Sequence, residues 1–441
     1  MFLFLDLIIY GKLPITSPFQ GFIYIFSNII ALLFVILYFH QVIYVIVGTI
    51  KTAKVKDKVF KLHTLGVVIS ARNESGIIAN LIKSVRACDY PQAMVNIFVV
   101  ADNCTDNTAQ LCRDMGCIVF ERNDLEHIGK GYALNFMFNK LHNEPEYADK
   151  VPEAYIILDA DNVVTSSYLT EMNKVYDSGY EMVTSYRNSK NFGDNWISSG
   201  YGYWFLHEAR HMNNARMMFK SSCTILGTGF LISQKMVKEY DNWNFHTLTE
   251  DCECSTETVL RRNKMGYAHN AEFYDEQPTS FKQSWIQRQR WVKGFLQVFK
   301  KRGAKLIGHS FINFACYDVM TTILPALVLT TLNIVVLGGC SIVALCMANW
   351  AMAWYAVLQL LISWGWLFLM MIIIATTICI TEWKKIRCPG WKKILYIFTF
   401  PLFMFTYIWI ALSTFINYKK IGWTQIKHTV NVTIDDIEKK D

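Results

Sequence analysis

Acidic side chains stand at the ends of hydrophobic runs in this chain, where a turning backbone can aim several of them at one ligand. Asp159 and Asp161 flank a single alanine after Tyr-Ile-Ile-Leu. Two carboxylates at i, i+2 on a turn can converge on one hard cation and on the phosphate oxygens it bridges. The plainer reading is a solvated turn after a buried strand, but Asp102 and Asp106 at a neighbouring run end weigh against it. Asp102 can accept a hydrogen bond from a base or ribose, or cap a helix. Lys130, between Gly129 and Gly131 at a helix start, suits contact with phosphate. Thr249-Glu250-Asp251 opens another helical stretch. Thr249 is a good cap and first-turn acids are favoured by the helix dipole; alternatively, Asp251 is a general base that takes a proton from an attacking hydroxyl. In Gln287-Arg288-Gln289-Arg290-Trp291 an arginine can fork onto a diphosphate, and the indole offers a flat face to a sugar ring. Arginine and tryptophan also serve as headgroup anchors at a membrane boundary. As a set, these residues read as equipment for activating a nucleotide-bound group.

The elements that must position them alternate in type. Leu65–Ala71 is a short apolar run ending at Arg72-Asn73-Glu74, and an amphipathic stretch follows to Val85. Val95–Ala101 ends at Asp102, a helical pattern runs to Met115, and Cys117–Glu121 follows. After helical Gly131–Leu141 comes Ala154–Leu158, again closed by acids. Continuous apolar strands separated by amphipathic helices predict a mostly parallel, Rossmann-like α/β sheet covered on both faces. Ligands of such sheets sit at the carboxyl ends of strands, where Asn73, Asp102 and Asp159 all fall. No internal repeat or low-complexity segment is visible.

The rest of the chain is built for hydrocarbon. Of 441 residues, 52% are hydrophobic and 18% charged, too apolar for an ordinary soluble protein. Gly21–Gly48 holds no charged type but His40, and exceeds the ~20 residues that span a bilayer. Between Phe311 and Ile380 the one formal charge is Asp318, and Ile394–Asn417 has none. Met1–Tyr10 is apolar but too short to cross, and reads as an interface-lying segment. Basic residues gather at the edges of these runs (Lys51, Lys54, Lys56, Lys58 and Lys61; Lys300, Lys301, Arg302 and Lys305; Lys384, Lys385, Arg387, Lys392 and Lys393), favouring a cytoplasmic catalytic part. The net charge of +7 is modest and no groove-reading motif accompanies it, so nucleic acid is not expected as a partner. Twelve cysteines without a CxxC pair read as reduced, buried thiols. The expected organisation is an interface segment and transmembrane helix over 1–50, a catalytic domain over 51–279, amphipathic interface helices over 280–310, membrane channel helices over 311–417 and a tail over 418–441.

In this order, Asp102, Asp159/Asp161, Thr249-Glu250-Asp251 and Gln287/Arg290/Trp291 resemble the motifs of the processive, membrane-integrated family-2 glycosyltransferases: cellulose, chitin, poly-N-acetylglucosamine and hyaluronan synthases. The resemblance covers about Leu65 to Trp291 plus the membrane layout. Each motif is weak alone; the four in order are specific. Gly227-Thr228-Gly229 looks like the family's acceptor-side loop. Gly422-Trp423-Thr424 with Lys427 and His428 is more loosely similar to its gating segment. The resemblance implies a GT-A fold, a UDP-sugar donor, Mg2+ or Mn2+, and inversion at the anomeric carbon. By carry-over Asn73, Glu74, Asp102, Lys130, Asp159, Gln287 and Arg290 would serve donor binding, Asp161 with Asp159 the metal, and Asp251 within Thr249-Glu250-Asp251 the base. Trp291 and Gly227 to Gly229 would meet the acceptor, and Trp423, Thr424, Lys427 and His428 would gate. A nucleotide-sensing module of the kind many bacterial cellulose synthases carry after the membrane region is not expected here.

The expected product is a neutral polysaccharide, glucose units first and N-acetylglucosamine second, because the membrane half is aromatic and nearly free of the cations a polyuronate would need. It would be passed through the chain's own channel at the plasma membrane. Expected partners are the growing polysaccharide and membrane lipids, with a homo-oligomer or accessory export proteins also compatible. A non-processive transferase to a lipid carrier is the nearest alternative. One N-terminal and three later spans would leave the tail on the wrong side for gating. Either Phe311–Ala348 is then a two-crossing hairpin, or Ile394–Asn417, bent at Pro401, does not fully cross.

Overall fold

The computed structural model describes residues 17–55, 59–323, 325–422 and 432–438. Met1–Tyr10 and the quartet Trp423, Thr424, Lys427 and His428 lie outside them.

Eight strands form one sheet: β1 (Leu65–Ala71), β2 (Val95–Asp102), β3 (Ile118–Arg122), β4 (Ala154–Asp159), β5 (Val163–Val164), β6 (Met182–Ser189), β7 (Phe230–Ser233) and β8 (Met265–Asp275), in the order β3-β2-β1-β4-β7-β6-β8-β5. The first four are parallel, with Ile69 opposite Val99 and Leu158. Period-two alternation sends Val68, Phe98, Val100, Tyr155 and Ile157 to one core and Val67, Ile69, Ile97, Val99, Ile156 and Leu158 to the other. Both faces are therefore dry, as the unbroken apolar runs require. β7 is antiparallel to β4 and β6, which makes the sheet mixed.

The helices that matter here are α1 (Pro18–Ile50), α2 (Lys130–Asn143), α3 (Trp196–His207), α4 (Glu250–Leu260), α5 (Phe281–Ser310), α6 (Phe314–Ile323), α7 (Pro325–Cys346), α8 (Trp350–Thr381), α9 (Gly390–Ile416) and the short α10 (Ile434–Glu438). Ser17 caps α1, its hydroxyl accepting from the Gln20 amide at 3.2 Å, with Pro18 in the first turn. α1, α7, α8 and α9 are each long and apolar enough to cross a membrane. α7 and α8 form a hairpin, closed by Asn349, whose side chain accepts from Met352 N at 3.1 Å. α1, α7 and α8 pack on one another through Ile23, Leu337, Cys340 and Ala356.

α9 behaves differently. Its Phe403 lies over Gly200 of α3, where a Cβ would come within 2.4 Å. Tyr203 of α3 donates to the Lys393 carbonyl at 2.7 Å, near the start of α9. Gln289 donates to Ser413 at 2.8 Å near its end, and Lys293 to the Ile421 carbonyl at 2.6 Å just beyond. Farther on, Val432, Ile434 and Ile437 pack on Val163 and Tyr274 of the sheet. The start of α9 and the segment 432–438 thus lie against the catalytic domain, and its end lies against α5.

Asp318, isolated in the apolar sequence, is fully buried and paired. Arg216 grips both its oxygens at 2.8 Å, and Tyr44 of α1 donates to it at 3.0 Å. This fastens α1 and α6 to the domain, and such a pair is costly to break from one side only.

Candidate active site

The strand ends of β1, β2 and β4 open on one side of the sheet, and two loops close over it. Asn73 stands in the left-handed region (φ 55°), and its side-chain oxygen accepts from the Thr105 amide at 2.7 Å. Glu74 N donates to Thr108 Oγ1 at 2.9 Å. Both residues therefore tie the β1 turn to the β2 turn. Asp102 ends β2, buried, and accepts from Arg122 at 2.6 Å and Asn103 at 3.1 Å. Burial raises its carboxyl above the usual range, against the pull of Arg122.

The Asp159-Ala160-Asp161 turn is latched to the glycine loop. Asp159 N donates to Thr228 Oγ1 at 2.9 Å, and Thr228 in turn donates to Asn162 Oδ1 at 2.6 Å. Gly227 and Gly229 sit at φ 82° and 68°, and a Cβ on Gly229 would strike Phe273 at 2.1 Å. Only glycine fits there. Lys130, first residue of α2, bridges the two turns by donating to the Asp159 carboxylate and, at 2.8 Å, to the Gly227 carbonyl. Asp161 is buried and accepts from Asn162 and, at 3.1 Å, from the Glu276 amide.

Asp251 enters from α4. Its Oδ2 lies 3.9 Å from the position a Cβ on Gly227 would take. Lys130 and Arg290 both exert a stabilising field on Asp251 and on Glu250. Burial dominates nonetheless and raises both carboxyls, pushing Glu250 to about 7 with Asp251 adding to the effect. Glu250 packs against the start of α2 beside Gly131, while Asp251 is half-buried on the loop side. Thr249 caps α4 by position, but no hydrogen bond comes from its side chain, whose hydroxyl is buried without a partner.

The Gln287–Trp291 segment lies on α5, where 100° per residue splits it between two faces. Arg290 points its field at Glu250, Asp251 and Tyr201. Trp291 meets Tyr201 and Phe205 edge-on at 5.7 and 6.3 Å and joins Leu226 beside the glycine loop. Gln287 Oε1 is buried without a partner. The other face belongs to α9: Arg288 is fully buried, donates to Thr406 at 2.6 Å and Phe403 O at 3.2 Å, and stacks on the Phe403 and Tyr407 rings.

The site thus brings Asp159, Asp161, Lys130, Gly227 to Gly229, Asp251, Arg290 and Trp291 together. Sequence reading missed several contributors. Asn162 links the two turns. Asp275, at the end of β8, is salt-bridged to Arg187, whose guanidinium lies 3.5 Å over the Phe205 ring. Burial raises Asp275 to about 6, with Asp161 and Asp159 contributing. Its strand-end position, like that of Asp102, was the available signal. Arg187 sits inside a strand and gave none.

A mixed, mainly parallel sheet with acids gathered at its strand ends is an α/β architecture of the kind that binds ligands at the carboxyl ends of its strands. Residues 63–294 match the family described as "Glycosyltransferase like family 2", and the chain belongs to that family, with its GT-A fold. Among similar proteins, the "Probable glycosyltransferase YdaM" of Bacillus subtilis (strain 168) is 26% identical over 290 residues, 60% of this chain and 64% of that one. The "Beta-monoglucosyldiacylglycerol synthase" of Synechocystis sp. is 23% identical over 238 residues, 53% of this chain and 48% of its own length. The chain thus spans less than two thirds of either relative. The mannosyltransferase PcManGT from Pyrobaculum calidifontis, solved with GDP-Man and Mn2+, covers 76% of this chain and 99% of its own at 16% identity and a TM-score of 0.47.

Proposed function

We propose that this chain transfers one glucose from UDP-glucose, with inversion, to the hydroxyl of a lipid acceptor at a membrane surface. The observation that carries it is the convergence of Asp251, Lys130, Asp159 and Arg290 around the Gly227 loop, beside Trp291 and under apolar helices.

Asp102 faces the uridine. Lys130 and Arg290 meet the diphosphate, and Arg290 neutralises the charge that develops as UDP departs. Asp251 takes the proton of the acceptor hydroxyl as it attacks the anomeric carbon from the opposite face; its position beside the Gly227 loop favours it over Glu250, which packs against the start of α2, for this role. Trp291 supports the acceptor end. Among the described residues, no three acidic, histidine or cysteine side chains converge closely enough to hold a metal alone. That fits Mg2+ or Mn2+, which bind through one or two carboxylates plus substrate phosphates. Asp161 and Asp159 would hold it, and it would supply Lewis-acid neutralisation of the diphosphate.

The membrane helices favour a lipid acceptor over a polymer. α1, α7 and α8 pack directly on one another, and α9 packs on α8 through Phe405 against Trp364 and Phe368 as well as on α3 and α5. Three crossings return the tail to the catalytic side, which the basic flanks suggest is cytoplasmic at the plasma membrane. Similarity to a glucosyldiacylglycerol synthase supports the same reading. The processive polysaccharide synthase remains the second reading, supported by Gln287, Arg290 and Trp291 on one helix. UDP release by purified protein is the test. Adding diacylglycerol in mixed micelles should accelerate it strongly in the presence of Mn2+; release indifferent to lipid would reject the proposal.

A further inference from the structure

A cleft of about 380 Å³ opens away from the site, where the catalytic domain meets the end of α1. Its walls carry Lys220, Arg262 and Lys264 and no acidic side chain. Its rim is apolar and exposed: Phe219 by 52%, Ile312 by 70% and Phe314 by 50%. Phe219 stacks on Tyr44 at 5.9 Å, and Phe314 meets His40 edge-on at 5.6 Å, so the rim runs into the last turns of α1. Lys264 donates to the Lys220 carbonyl at 2.8 Å, which fixes its ammonium in the wall.

Three like charges around a cavity repel, and bare aromatic rings beside them cost free energy in water. An amphiphile with an anionic head and acyl chains relieves both. The C-terminal end of α4 lies here and attracts cations through its dipole. That accounts for Arg262, but not for Lys220, Lys264 or the apolar rim. α4 spans 11 residues, about 16 Å at 1.5 Å per residue, with Asp251 in its first turn. The cleft is therefore out of reach of the reacting atoms and is not the acceptor subsite.

We propose that this cleft binds the phosphate headgroup of an anionic membrane phospholipid, with its acyl chains lying along Phe219, Ile312 and Phe314. The site would seat the catalytic domain at a fixed height on the bilayer. It rests on the membrane reading above, and is independent of which sugar and acceptor react.

Native mass spectrometry of the full-length protein in detergent, titrated separately with phosphatidylglycerol and phosphatidylcholine, tests it. One phosphatidylglycerol should be retained in preference to phosphatidylcholine. R262Q/K264Q should lose that preference by about thirtyfold, each cation near an anionic surface contributing about fivefold. K83Q, an exposed lysine of the catalytic domain outside the membrane-edge clusters, should keep it. If the double variant fails to fold, K220Q alone should weaken retention by about fivefold. Equal retention of both lipids, unchanged preference in the variants, or displacement by inorganic phosphate alone would overturn the proposal.

Discussion

Gly294 of α5 lies directly against Thr249, the residue that precedes the first turn of α4: a Cβ at 294 would sit 2.5 Å from both the Thr249 Cγ2 and Oγ1 atoms. The contact joins the helix carrying Arg290 to the helix carrying Asp251 with no slack. Gly294→Ala should therefore push the two helices apart and lower turnover by about a hundredfold, the usual cost of a misplacement near 1 Å. Thr249→Ala in the same chain removes the two nearest colliding atoms, though not Cβ at 2.9 Å, and should restore part of the rate. Wild-type kinetics in the single variant would mean that the two helices are not coupled here.

Asp251→Asn should reduce kcat by about 10²–10⁴-fold, the range for loss of a positioned base, and leave UDP affinity unchanged by calorimetry. Because burial raises the Asp251 carboxyl, the wild-type rate should climb with pH through a value above the ordinary carboxylate range and then level off. A variant that loses UDP binding in parallel with turnover would assign Asp251 to the donor instead.

Glu250 carries a stability signature. Its folded value of about 7 exceeds its unfolded one near 4.5, so the native state binds more protons between the two. Stability from this group is full below the unfolded value and is lost as pH rises to about 7. Glu250→Gln, which has no charge to bury, should raise the thermal midpoint at pH 8 and change it little at pH 4. A midpoint difference that is the same at both pH values would rule out this burial cost.

Arg288 and Arg290, two residues apart, should separate cleanly. Arg290→Ala should cost about 10²–10³-fold in kcat, as for loss of one transition-state donor, with the melting temperature near wild type. Arg288→Ala empties a fully buried position and removes the hydrogen bonds to Thr406 and the Phe403 carbonyl, and should destabilise by roughly 2–4 kcal/mol. Equal effects of the two on stability would contradict the assignment of opposite faces.

Chelation should abolish tight UDP binding. Asp161→Asn should raise the Mn2+ concentration needed for half-maximal binding by at least about tenfold. Isothermal titration across Mn2+ concentrations reads this directly, and an unaltered metal requirement would remove Asp161 from the metal site.

The parallel half of the sheet was legible because each strand is an unbroken apolar run closed by a polar turn: Val95–Asp102 and Ala154–Asp159 announce their own ends. Asp102, Asp159 and Asp161 were visible for the same reason. Arg187 and Asn162 were not, since a polar residue inside a strand or after a turn gains its meaning only when Asp275 or Thr228 arrives from elsewhere in the chain. Hydropathy alone also does not say what α9 packs against. An apolar helix 27 residues long reads as a span, yet Gly200 lets Phe403 dock closely and Arg288 finds Thr406, so protein takes the place of lipid on that face. The face-splitting of the Gln287–Trp291 segment follows from helical period alone, but which face met α9 did not.

The mass of the product bears most directly on the account. Purified protein given 13C-labelled UDP-glucose, Mn2+ and diacylglycerol should yield an organic-soluble species heavier than the lipid by a single labelled hexose. A ladder of water-soluble oligomers, or polymer retained at the top of a sizing gel with no monoglucosylated lipid, would contradict it.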